Sequence, residues 1–85
     1  MLQEKRQSEL GRLEADALRQ AASESFAALQ MAHLRYERAL GIVEEGAPSA
    51  EATEDFRRQG REYAEAVTRY SHAAMAWLAF METIK

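Results

Sequence analysis

The sequence predicts an all-α fold: an antiparallel, coiled-coil-like two-helix hairpin that dimerises into a four-helix bundle. Three observations carry this reading. Alanine supplies 17 of the 85 residues, and Glu, Arg, Leu and Gln fill much of the remainder, a composition of helix formers. Strong punctuation occurs once, at Glu44-Glu45-Gly46-Ala47-Pro48-Ser49. On both sides of it, apolar residues recur at alternating spacings of four and three, the period of a helix that buries one stripe.

Helix 1 is expected over about residues 3–45. Gly46 suits the left-handed residue that closes a helix C-terminus, and Pro48 cannot continue it. Glu44 and Glu45 sit unfavourably at the negative end of the helix dipole, so its last turn should fray. A turn follows at 46–48, and helix 2 is expected over about 49–84 with Ser49 as its N-cap. Glu51, Glu54 and Asp55 then lie near the positive end of helix 2. Residues 1–85 form a single domain in this reading.

The predicted seam of helix 1 runs through Ala22, Phe26, Leu29, His33, Tyr36, Leu40 and Val43. That of helix 2 runs through Phe56, Gly60, Tyr63, Val67, Tyr70, Ala74, Trp77, Met81 and Ile84. A short turn zips two such seams together antiparallel, which sets Tyr63 near Ala32, Tyr70 near Phe26 and Trp77 near Leu18. A second stripe, Leu10, Leu13, Ala17, Ala21, Ala28, Met31 and Ile42, lies about 100–180° around helix 1 at 100° per residue. On helix 2, Met75, Leu78 and Phe80 flank the seam. A two-helix hairpin has no third element to cover this surface, and monomers seldom expose apolar patches beyond a few hundred Å². Leu10, Leu13, Ala17, Ala21, Ala28, Met31, Met75, Leu78 and Phe80 are therefore the candidate interface residues. A second copy is the expected cover.

The chemistry-bearing residues point away from catalysis. With no cysteine there is neither a disulfide framework nor a thiolate metal site. His33 falls on the helix 1 seam beside Tyr36 and one turn before Glu37, and is expected as a core imidazole bonded to a Tyr or Glu neighbour. His72 is expected on the solvated face. Bundle di-iron sites need Glu-x-x-His, but position 30 is Gln and position 69 is Arg. The serines lack a Gly-x-Ser-x-Gly elbow, and no glycine-rich loop is present to cradle phosphate. Four carboxylates lie four residues from arginines, in Arg12–Asp16, Glu54–Arg58, Arg58–Glu62, Arg61–Glu65 and Glu65–Arg69, an ordinary exposed helix pattern. A bundle this small is not expected to hold a ligand pocket of ~300 Å³. The reading is a non-enzymatic chain with no cofactor and no metal.

Lys5-Arg6 and Arg57-Arg58 are the basic clusters in a chain of net charge −3, so nucleic acid is not the expected partner. The first residues lack the apolar segment of a signal peptide. The apolar run from Ala73 to Met81 spans nine residues, about half of a ~18–20-residue membrane span, so a cytoplasmic location without membrane contact is expected. Nine arginines against two lysines, with abundant alanine, fit a high-GC bacterial or phage source. In length and hairpin outline the chain resembles several unrelated groups of short bacterial two-helix proteins: type III secretion co-chaperones, quorum-sensing antiactivators and Rop-type RNA-binding hairpin dimers. The resemblance covers shape alone, and such shapes serve many functions. The leading expectation is a protein-interaction module: a regulator, adaptor or chaperone-like hairpin homodimer that binds a partner protein through an apolar helix face. The alternatives are a nucleic-acid-binding hairpin dimer working through Arg35, Arg38, Arg57, Arg58 and Arg61, and a purely structural assembly unit.

Overall fold

The computed structural model describes residues 2–83, with side chains from Glu9 to Thr83. Ile84, assigned to the seam from the sequence, lies outside the described residues. Two helices account for nearly all of the chain: α1 (Leu2–Glu44) and α2 (Ala50–Glu82). They pack antiparallel into a rod of 70 × 16 × 14 Å.

The turn forms for the reasons its residues suggest. Helix α1 stops at Glu44 with no basic residue in its last turn to meet the dipole. Gly46 adopts φ 146°, a conformation open to glycine and costly for other residues. Ser49 has extended backbone angles, and its Oγ accepts from the Ala52 N–H at 3.1 Å. Its carbonyl accepts from the Thr53 N–H at 3.0 Å, starting α2. At the far end the Thr83 N–H donates to the Phe80 carbonyl at 3.0 Å, closing the last turn.

The register agrees with expectation. Phe26 meets Tyr70, and His33 meets Tyr63, each with ring centroids 5.3 Å apart. Tyr36 packs against Phe56 at 5.3 Å and against Tyr63 at 5.4 Å. Carried to the open end, this register leaves the first dozen or so residues of α1 projecting about 18 Å beyond α2, at 1.5 Å per residue.

The seam itself differs in phase from the one expected. The line of least exposure on α1 runs Ala15, Leu18, Ala22, Ser25, Leu29, Ala32, Tyr36, Ala39 and Val43. On α2 it runs Ala52, Phe56, Gln59, Tyr63, Ala66, Tyr70, Ala73, Trp77 and Phe80. At alternate positions the residue one place earlier than expected occupies the contact. Ser25, Ala32 and Ala39 lie deeper than Phe26, His33 and Leu40, and Ala66 and Phe80 deeper than Val67 and Met81, while Gln59 shares the contact with Gly60 and Ala73 shares it with Ala74. The physical reason is closeness. The most buried of the described residues are alanines, Ala22, Ala32, Ala39 and Ala66, whose small side chains let the backbones approach. Phe26, at 44% exposed, and Met81, at 47%, are pushed to one side of the contact.

The polar seam residues are handled differently. The Ser25 hydroxyl donates to the Ala21 and Ala22 carbonyls of its own helix, at 2.8 and 3.0 Å. Gln59 Oε1 is buried without a hydrogen-bond partner, while its amide nitrogen reaches Asp55 Oδ1 only at 3.5 Å. Leaving a buried acceptor unpaired costs about 1–3 kcal/mol. Gln59→Leu should therefore stabilise the protein by about 1 kcal/mol and raise its Tm by about 4–8 °C. Thermal unfolding followed by circular dichroism measures this, and a lowered Tm would show that Gln59 is satisfied in solution.

Candidate interaction surface

Most of the predicted interface residues are exposed on a single hairpin. Leu10, Leu13 and Met31 are more than half exposed, and Ala17, Ala21 and Ala28 are exposed beside them on α1. Leu34, three residues beyond Met31, extends this outer stripe at 58% exposed, and sequence reasoning missed it. The i, i+3 spacing from Met31 was the signal available for it. Ile42 continues the stripe towards the turn. On α2, Met75 and Leu78 are exposed as expected. Phe80 is half-buried on the seam rather than beside it, and Met81, placed on the seam from the sequence, is 47% exposed.

A second apolar surface arises from the shifted seam. The large residues displaced from the contact fall on one flank, where they line a groove between the helices. Arg19, Ala22, Ser23 and Phe26 of α1 face Tyr70, Ala74, Trp77 and Leu78 of α2 around about 350 Å³. This volume matches a small ligand site, against the expectation that the hairpin holds no such space. It is nevertheless an open surface trough, unlike the enclosed cavities that bury most of a small ligand. Seven residues along from Phe26 comes His33, and seven before Ala74 comes Val67, so the same flank continues towards the turn. Gly60 extends it: the Tyr36 ring lies 3.6 Å from where a Cβ at Gly60 would sit.

The opposite flank has different chemistry. Its trough is lined by Arg35, Glu62, Glu65 and Arg69 together with Ser25, Ala28, Ala32 and Ala66. Near the turn, a third hollow mixes Glu51, Glu54 and Asp55 with Arg58 and Arg61. The first flank is mainly apolar, with Arg19 at one end and His33 beside Glu37 towards the turn, and the second carries charges of both signs.

His33 occupies the apolar flank rather than a closed core. Its Nε2 lies 3.1 Å from Glu37 Oε1, the side chain is 46% exposed, and the ring meets Tyr63 edge-on. The expected carboxylate neighbour is present, and the expected burial is not. His72 is exposed. Among the described residues, no three His, Asp or Glu side chains gather to hold a metal ion, and no helix is long and apolar enough to cross a membrane. The ion pairs of arginine follow i,i+3 rather than the expected i,i+4 spacing. Asp16 pairs with Arg19 at 3.3 Å instead of Arg12, Glu54 with Arg57 at 3.8 Å, and Asp55 with Arg58.

Comparison of the chain with protein-family models, curated proteins and solved structures finds no match.

Trp77 forms a wall of the groove and is half-buried. A fully buried Trp→Ala exchange costs about 3–5 kcal/mol; half-burial sets Trp77→Ala at about 2 kcal/mol for the hairpin alone. Urea unfolding at the lowest workable protein concentration measures it. A loss of 4 kcal/mol or more there, roughly the full-burial figure, would mean that one chain covers the indole by itself.

Proposed function

We propose that this chain is a non-enzymatic protein-interaction module, a helical hairpin that works as a homodimer of four helices and engages a partner protein through an apolar helix face. The observation that supports this reading is how little the hairpin buries. Its accessible surface is 7011 Å², and among the described residues the buried hydrophobic ones are all alanine. A compact monomer of 9.6 kDa exposes about 5,100 Å². Part of the difference follows from the rod shape, but much of the exposed area belongs to Leu, Met, Phe and Ile side chains. Such surface in a small chain is best explained by association.

The outer stripe of α1 is suited to the partner. Leu10, Leu13, Ala17, Met31 and Leu34 recur at helical spacing, the pattern by which a helix lies in a hydrophobic groove of another protein. Arginine chemistry favours this reading over nucleic acid. Arg57 and Arg58 are engaged by Glu54 and Asp55 of their own helix, and acids line the hollow beside them. A phosphate-binding face would concentrate one sign of charge.

Sedimentation equilibrium tests the dimer: a mass near twice 9.6 kDa is expected at micromolar concentration. A mass of 9.6 kDa across the whole concentration range would overturn it. Because association stabilises the folded form, Tm should also rise with protein concentration. For the partner face, Leu13→Glu with Met31→Glu should preserve helicity and abolish capture of the protein that the unmodified chain retains. Each apolar group removed from such a contact forfeits up to ~1.5–3 kcal/mol. Undiminished capture would take the partner face off this stripe.

A further inference from the structure

We propose that the second copy seats on the apolar flank of the hairpin, over Phe26, Val67, Ala74 and Trp77, with its turn at the opposite end of the bundle. This rests on the homodimer reading above and adds which face pairs, and in which direction.

The two flanks of the seam are unequal. The groove between Phe26 and Trp77 has a single charged residue, Arg19, at its open end. The opposite trough carries Arg35, Glu62, Glu65 and Arg69, whose charges would lose water on being covered. The apolar flank also spans both helices, so a four-helix bundle covers all of it at once. The hairpin exposes about 1,900 Å² more than a compact chain of its mass, shared among its rod shape, the outer stripe of α1 and this flank, and the ~800 Å² that each partner contributes to a standard interface is less than half of that excess. A second rod of the same length, presenting the same flank, can use that area. A twofold contact is self-complementary by construction, so apolar meets apolar without a separate partner surface.

Charge sets the direction. Residues 44 to 55 contain five carboxylates, Glu44, Glu45, Glu51, Glu54 and Asp55, and no lysine or arginine. With both turns at one end, all the carboxylates of two chains would crowd together. With turns at opposite ends they lie about 50 Å apart, the length of α2 at 1.5 Å per residue, many times the ~8 Å screening length. The same arrangement brings each acidic turn to the end of the partner's groove, where Arg19 sits. Symmetry then fixes a consequence. When two hairpins face each other with turns opposed, the twofold axis crosses the helices, and α2 runs antiparallel to its own copy. Where α2 overlaps its copy along its whole length, the residue at its middle meets itself. That middle is Ala66 on the seam, and Val67, 37% exposed, is its neighbour on the apolar flank.

The chain has no cysteine, so a single Val67→Cys variant reports this contact directly. A disulfide needs Cβ atoms about 3.5–4.5 Å apart. Under air oxidation at a concentration where the unmodified chain is dimeric, Val67→Cys should cross-link at least tenfold faster than Met31→Cys or Met75→Cys. In sedimentation, Phe26→Glu with Val67→Glu should raise the dimer dissociation constant at least a hundredfold, whereas Leu13→Glu with Met31→Glu should leave it unchanged. Failure of Val67→Cys to cross-link, with the Phe26/Val67 variant still monomeric, would overturn the direction. Cross-linking through Met31→Cys, with dimers lost in the Leu13/Met31 variant, would overturn the face while leaving the homodimer intact. An unmodified chain that stays monomeric throughout would overturn the homodimer itself. Should the glutamate variant fail to fold, the cysteine comparison decides the face and direction alone.

Discussion

Two helices close on each other only as far as the bulk between them allows, and here Ala22, Ala32, Ala39 and Ala66 occupy the closest approach. Every other feature of the molecule follows from that. Small residues on the contact line bring the backbones together and leave no room between them for Phe26, Val67 or Met81. Those side chains move to the flank. Larger seam residues are retained mainly from α2, where Tyr63, Tyr70 and Trp77 lean against a slimmer α1. The hairpin thereby gains a tight contact and loses a deep core. Burial of alanine contributes little per residue, because the hydrophobic gain scales with apolar area removed from water.

That trade-off gives the surface its character. A chain of this length buries a smaller share of its surface than a larger domain does, and with no cysteine to form disulfides it relies on regular packing. The seam divides the hairpin into one apolar and one charged flank, and the outer side of α1 carries an apolar stripe of its own. These surfaces differ in geometry. The flank is a trough across two helices, suited to another pair of helices. The outer stripe is the ridge of one helix, suited to a groove in a different protein. The reading as an interaction module rests on there being two such surfaces, because self-association and partner binding can then coexist.

Helix content, the position of the turn, the Ser49 cap and the pairing register could all be read from the sequence, since each depends on local chemistry or on counting outward from the turn. Tyr70 meets Phe26 as the count requires. The phase of the seam could not be read in the same way. Choosing the larger apolar residue at each step selects Phe26 over Ser25 and Val67 over Ala66, but close packing rewards the smaller. Each choice displaces the seam by one residue, about 100° around the helix. The outer stripe was readable because nothing packs on it, so hydropathy and exposure point to the same residues. The groove was hidden because its residues had been placed in the core. Phe80 and Met81 exchange roles for the same reason.

The central claim is that the apolar flank, uncovered in one chain, is covered in the working protein. The single tryptophan of the chain stands in the wall of that groove, so its fluorescence reports the claim without any substitution. The measurement is the emission maximum of Trp77 as the protein is concentrated from the nanomolar to the high micromolar range at constant salt. The account predicts a shift to shorter wavelength along a single binding curve, with a midpoint matching the dimer dissociation constant from sedimentation. An emission maximum that stays fixed while the sedimenting mass doubles would contradict it, because the second copy would then be covering some other face.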